Sequence, residues 1–152
     1  FDPSKQNTLE DLVSMGIYEK VAMQPDRGIS PETLLWWLQQ SEEARKEAFE
    51  GDPLARALSS LGFYAKRQKL GGVWSHGSNF DLPILQDAYE QGILRVPWGY
   101  REWRDTRTLL SLVEPSHLQE MWPSNPKKHL PLYDACVQTI MVQNVRRHLH
   151  IQ

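Results

Sequence analysis

Apolar residues recur at irregular but readable intervals along the chain. Residues 9–24 mix Leu9, Leu12, Val13, Met15, Ile17, Val21 and Met23 with polar positions, and the alternation from Tyr18 to Met23 predicts a strand. Pro25-Asp26-Arg27-Gly28 reads as a turn. Ser30-Pro31-Glu32 then offers a cap hydroxyl, a proline suited to the first helical position and an early carboxylate. The helix it opens is expected to run through Leu34, Trp37, Leu38, Ala44 and Ala48, with Gly51 as its stop. Asp52-Pro53 opens another, with Leu54, Ala57, Leu58, Leu61 and Ala65 on one face, ending near Gly71-Gly72.

The second half alternates strand and helix signals. A short strand is expected from Val73 to His76, followed after Gly77-Ser78-Asn79 by a helix from about Phe80 to Gln91. Val96 to Tyr100 reads as a loop, Arg101 to Asp105 as a strand end and Thr106 to Val113 as a short helix. The stretch 114–130, broken by Pro115, Pro123 and Pro126, is expected to be an irregular, lid-like segment. A final helix is predicted from Pro131 to about His148. The alternation predicts one α/β domain, a sheet covered by helices.

Composition narrows the class. At 152 residues the chain is long enough to bury a core without disulfides or a structural metal. Its 40% hydrophobic and 24% charged residues exclude a disordered, collagenous or coiled-coil protein. Seventeen basic against nineteen acidic residues leave a net charge of −2, so an anionic partner must be met by a local patch. The lone Cys136 excludes a disulfide framework and fits a reducing compartment; within the last helix it reads as a small core residue. No apolar run approaches the roughly 18 residues that would span a bilayer, and no signal-peptide pattern opens the chain. Phe1-Asp2-Pro3 is an unusual opening and leads to the expectation of a longer parent.

Three places carry chemistry. Asp81 falls in the first turn of a helix directly after a strand, at the edge where open α/β sheets place ligands; it is either a ligand for a hard cation or a support for the helix start. His129 and Asp134 are five positions apart, too far to share a face within one helix. Pro131 puts His129 on the entering loop and Asp134 one turn into the helix, so the pair is either a general base beside a carboxylate or a solvated loop residue beside an ordinary one. Met121 to His129 sets Lys127 and Lys128 among aromatics, which suits single-stranded nucleic acid as well as a plain solvated loop. Trp36 and Trp37 lie about 100° apart on one helix, so at most one faces the core fully, and core packing is the expected role of both. Asp105, flanked by Arg101, Arg104 and Arg107, is either a supporting carboxylate behind a site or an ion-pair partner, with the structural role favoured.

Together these positions resemble the DEDDh group of 3′–5′ exonucleases, which share the ribonuclease H-like fold, and within it bacteriophage exonucleases of the DexA type and their exoribonuclease relatives. The likeness is carried by 28–37 (GISPETLLWW), 40–45 (QSEEAR), 78–85 (SNFDLPIL), 103–109 (WRDTRTL) and 129–135 (HLPLYDA), and so spans nearly the whole chain. It implies a central mixed sheet flanked by helices. It also implies a two-metal site for Mg²⁺ or Mn²⁺, with Asp81 and Asp134 as ligands and His129 as general base. Asn79, Phe80, Trp36, Trp37, Lys127 and Lys128 would meet nucleic acid, with Asp105 behind the site. The family's first acidic motif, an Asp-x-Glu on the first strand, has no counterpart here, so the expected domain (1–152) lacks its first strands.

The activity implied is metal-dependent removal of nucleoside 5′-monophosphates from the 3′ end of single-stranded DNA or RNA. The alternatives are a nuclease-like nucleic-acid-binding protein without full activity and a protein-binding, host-directed factor that presents an exposed tryptophan. The expected compartment is the cytoplasm, that of the host if the phage likeness holds. No membrane partner is expected, and a homodimer stays open.

Overall fold

The computed structural model describes residues 1–24, 27–68 and 71–151. Of the turn expected at 25–28, Pro25 and Asp26 lie outside the described residues. Eight α-helices and two strands are seen among those described. Helix α1 (Leu9–Met15) begins at a capping box: Thr8 Oγ1 accepts the Asp11 N–H at 3.1 Å, and Asp11 Oδ2 accepts the Thr8 N–H at 2.9 Å. The expected strand at Tyr18–Met23 is not formed. Only Val21 makes a parallel bridge, to Asp52, and the segment that carries Asp52 passes into a helix at Leu54 before a second pair can form. The bridge depends on Gly51, where an added Cβ would lie 2.4–2.5 Å from the backbone of Lys20 and Val21. Gly51 therefore serves close approach of two chain segments rather than a helix stop.

The single helix expected over 31–51 is two. Helix α2 (Pro31–Leu38) is capped by Ser30 and α3 (Glu42–Phe49) by Ser41, whose Oγ accepts the Ala44 N–H at 3.2 Å. The Arg45 guanidinium donates to the carbonyls of Leu38 and Gln40, each at 3.0 Å, and fastens the corner between them. A serine offering its side chain to the backbone starts a new helix more readily than it continues an old one.

Helix α4 (Leu54–Arg67) buries Ala57, Leu58 and Ala65. It meets α5 (Ser78–Gln91) through Tyr89, whose hydroxyl donates to the Leu58 carbonyl at 2.8 Å. Strands β1 (Val73–Ser75) and β2 (Trp103–Asp105) pair in parallel, Val73 opposite Trp103 and Ser75 opposite Asp105. This two-stranded parallel sheet replaces the larger mixed sheet expected: among the described residues no further strand lies beside β1 or β2. Each strand leads into a helix, β1 into α5 through His76 and Gly77 and β2 directly into α6 (Thr106–Leu110). The stretch expected to be irregular holds helix α7 (Pro115–Met121), with Pro115 at its first position, where a missing N–H is harmless. Helix α8 (Pro131–His148) forms the spine of the fold and packs against α1, α6 and α7. Its Met141 and Val145 join Leu110 and Val113 in the core. The thiol of Cys136 is free and buried, as its place in the helix pattern suggested, and burial raises its pKa.

Candidate active site

The carboxyl ends of β1 and β2 meet at a tight polar junction. Gly77, in the left-handed region at φ 108°, turns the chain from β1 into α5. Its N–H donates to Asp105 Oδ1 at 3.0 Å. Asp105 also caps α6 by accepting the Arg107 N–H at 3.2 Å and takes the Thr108 hydroxyl on Oδ2 at 2.9 Å. His76 Nδ1 and Thr106 Oγ1 lie 2.8 Å apart across the same junction. The Arg107 guanidinium lies over Gly77, 3.4 Å from where a Cβ would stand, and makes no hydrogen bond to a described residue.

Asp81 sits above this junction in the first turn of α5, partly buried. Burial pushes its carboxyl above the usual aspartate range, against the pull of the positive Arg107 and of His76. No described residue donates a hydrogen bond to its side chain. His76 is held below its ordinary value by burial and by Arg107, with Asp105 and Asp81 acting the other way. Burial also works against ionisation of Asp105, but donors from Thr108, Gly77, Arg107 and Ser78 overcome it and lower its pKa. Asn79 and Phe80 occupy the same first turn of α5, with Phe80 68% exposed.

A second cluster gathers where the 122–130 loop enters α8. Asp134 lies in the first helical turn, and its Oδ1 accepts the Asn125 side-chain amide at 2.6 Å. His129 is exposed and adopts φ 65°, a left-handed conformation uncommon outside glycine, although histidine takes it more readily than most residues. Its ring meets Trp36 edge-to-face at 5.1 Å; Trp36 in turn meets Trp37 at 4.9 Å, and Trp37 meets Phe49 at 6.0 Å. Core packing, expected of both tryptophans, does not describe them. Helix α2 buries no residue, Trp37 is half-buried and Trp36 is 43% exposed. Lys127 pairs with Glu43 at 3.4 Å and lies 5.5 Å from the Tyr133 ring, whereas the exposed Lys128 has no partner among the described residues. Asp81 and Asp134 thus belong to different polar networks. A cavity of about 250 Å³ between β1 and α8 has Thr106 and Ala135 on its wall, each next in sequence to a member of one network.

The family model of the 3′–5′ exoribonuclease Rv2179c-like domain matches residues 5–146. The chain belongs to this family. It is also similar to an exodeoxyribonuclease of Enterobacteria phage T4, 29% identical over 99 residues that cover 57% of this chain and 44% of that protein. The chain therefore spans less than half the length of this curated relative. No solved structure matches it significantly.

In this exonuclease-family domain, Asp81 and Asp134 are hard oxygen donors held in the first turns of two helices. Asp81 fits a cation ligand best, being partly withdrawn from water with no hydrogen bond from a described residue to offset it. Among the described residues no three His, Cys, Asp or Glu side chains converge as a metal-binding group. No helix of the described residues is long and apolar enough to cross a membrane. Three participants went unrecognised in the sequence: His76, Arg107 as a neighbour of Asp81, and Asn125 as a partner of Asp134. His76 and Asn125 carried weak signals, one a polar residue closing a strand before glycine, the other an asparagine between two prolines.

Proposed function

We propose that the protein is a divalent-metal-dependent 3′–5′ exonuclease of single-stranded DNA or RNA, releasing nucleoside 5′-monophosphates on a ribonuclease H-like fold. Family membership and the phage exodeoxyribonuclease relative support the class of reaction. The single observation that carries the site is Asp81, a partly buried carboxylate without a hydrogen-bond donor among the described residues, at the mouth of two parallel strands. Open sheets of this kind present ligands at that edge.

Asp81 and Asp134 would hold the cations, Mg²⁺ or Mn²⁺. When bound, the metal supplies charge neutralisation at the attacking and leaving oxygens of an in-line displacement. Two aspartates offset only part of the four positive charges of two ions, so further acidic ligands belong to the complete site. His129 takes a proton from the attacking water, and its loop position leaves it exposed to do so. The phosphorus–oxygen bond to the 3′ oxygen of the preceding nucleotide breaks, and that oxygen leaves with a proton. Phe80 and Trp37 offer ring faces to unpaired bases, Asn79 a polar side chain beside them, and Lys127 and Lys128 positive charge to phosphates, while the Trp36 ring is turned to His129. Lys128 is the more available of the two, because Lys127 is engaged by Glu43.

The test is release of mononucleotides from 3′-labelled single-stranded DNA and RNA by the full-length protein with Mg²⁺, with excess chelator, and with His129→Ala and Asp81→Asn. Expected are activity that chelator abolishes and losses of at least about a hundredfold in both variants, the scale general acid–base groups supply. A wild type inert on both polymers, or a His129→Ala enzyme at full rate, overturns the reading. An inert protein that binds single strands, with affinity falling as salt rises, would instead be the nuclease-like binding protein.

A further inference from the structure

Helix α2 is an unusual element to carry two tryptophans. It buries no residue in the core, yet it is fixed firmly to α3 through the Arg45 bonds at their corner and the Trp37–Phe49 contact. The α2–α3 hairpin then reaches the 122–130 loop at two points. Glu43 pairs with Lys127 at 3.4 Å, and Trp36 meets the His129 ring edge-to-face. From the other side the loop is tied to the start of α8 by Asn125, whose amide donates to Asp134 while its Oδ1 accepts the Lys127 N–H at 3.0 Å. Between these ties His129 holds a left-handed backbone conformation that the chain does not favour unaided.

We propose that the α2–α3 hairpin is a positioning device for His129, with Trp36 as the positioning residue that holds the imidazole and Glu43 as the anchor of its loop through Lys127. The inference rests on the exonuclease reading, because it assigns Trp36 to the base of that reaction. Trp36 orients the ring without touching the reacting atoms. The physical logic is that an exposed imidazole samples many orientations, and proton abstraction requires one within hydrogen-bond reach of the water. An aromatic neighbour at 87° restricts the ring while leaving its nitrogens available.

The test uses the full-length protein with two independent readouts. Trypsin cuts after Lys127 and Lys128, so its rate there reports opening of the loop without requiring any nuclease activity. Trp36→Ala is expected to speed this cutting about three- to tenfold, the range set by loss of one edge-to-face ring pair. Trp36→Phe, which retains a ring, restores most of the protection. Glu43→Gln gives a smaller acceleration at the same bonds and serves where Trp36→Ala fails to fold. In single-strand hydrolysis, Trp36→Ala is expected to lower kcat at least about tenfold with little change in KM, and Trp36→Phe to recover most of kcat. Unchanged tryptic cutting in Trp36→Ala, or a raised KM at unaltered kcat, overturns the inference and leaves Trp36 as a stacking surface for the substrate. A wild type without activity defeats the exonuclease reading instead, and the proteolysis readout still decides whether the hairpin holds the loop.

Discussion

Asp105 accepts the Gly77 N–H at 3.0 Å, and this one bond ties the end of β2 to the turn that follows β1. The aspartate simultaneously caps α6 and holds the Thr108 hydroxyl, so both strand-to-helix turns are set by one side chain. Asp105→Ala is expected to destabilise the protein by about 1–2 kcal/mol through loss of the cap and an orphaned N–H. Gly77→Ala should have an effect of similar size, about 1–3 kcal/mol, because φ 108° is strained for any side chain. Urea midpoints of both variants check this, and unchanged midpoints would show that the junction is held elsewhere.

Acid should unfold the protein in two stages. His76 has a folded pKa below its ordinary 6.5, so the unfolded chain binds that proton first; the stability tied to its neutral form is present above pH 6.5 and declines as pH falls below it. Asp105 has a folded pKa below 3.8, so its contribution is present above that value and is lost as pH falls toward the lower folded one. Urea midpoints measured from pH 8 to pH 3 should decline in both windows. His76→Gln should remove the first decline, and Asp105→Asn should make the second shallower without abolishing it, because Asp2, Asp11, Glu32 and Glu47 also have lowered pKa values.

Asp81 behaves in the opposite sense. Its folded pKa lies above 3.8, so stability falls as pH rises through the window between the unfolded and folded values, and the ionised carboxylate opposes folding at neutral pH. In chelator, Asp81→Asn should therefore melt higher than wild type. Added Mg²⁺ should raise the melting temperature of wild type more than that of the variant. Calorimetry with and without the ion checks both expectations, and a lower-melting variant would refute them.

Gln143 is fully buried in α8 and fastens the amino-terminal segment by donating to the Asp2 carbonyl at 2.9 Å and to Asn7 Oδ1 at 2.8 Å, while its own carbonyl accepts the Asn7 N–H at 3.2 Å. Gln143→Ala leaves those groups unpaired and is expected to cost about 1–3 kcal/mol. Hydrogen exchange should show the loss concentrated in residues 1–12, where α1 packs on α8.

Gly51→Ala should be more disruptive than a surface glycine change. The added methyl would collide with the Lys20–Val21 backbone, which has no flexible side-chain end to yield. Displacement of residues 17–22 and a destabilisation of at least about 2 kcal/mol are expected, read from thermal unfolding.

Helices with strong local signals were legible from residues alone. Ser30-Pro31, Asp52-Pro53 and Pro131 mark α2, α4 and α8, and the α5 pattern after Gly77 holds within two residues, because caps and fixed φ angles are properties of a few adjacent residues. Helix α1 was missed although Thr8 and Asp11 form its capping box, since the apolar positions after it suggested extended chain. The strand expected at 18–23 failed for the converse reason: alternation is local, but a strand exists only where a partner supplies hydrogen bonds, and the partner segment turns into α4 at Leu54, two residues after the bridge.

Residue types and their order marked Asp81, His129 and Asp134 as candidate positions, and the family resemblance gave them their expected roles. What surrounds each was settled by long-range packing, because charge neighbours and ring contacts depend on distances in space. Arg107 and His76 beside Asp81, Asn125 on Asp134, and Trp36 against His129 are separated from their partners by between 5 and 93 positions. No periodicity links such pairs; the packing of α5 on the two strands and of the α2–α3 hairpin against the loop before α8 brings them together.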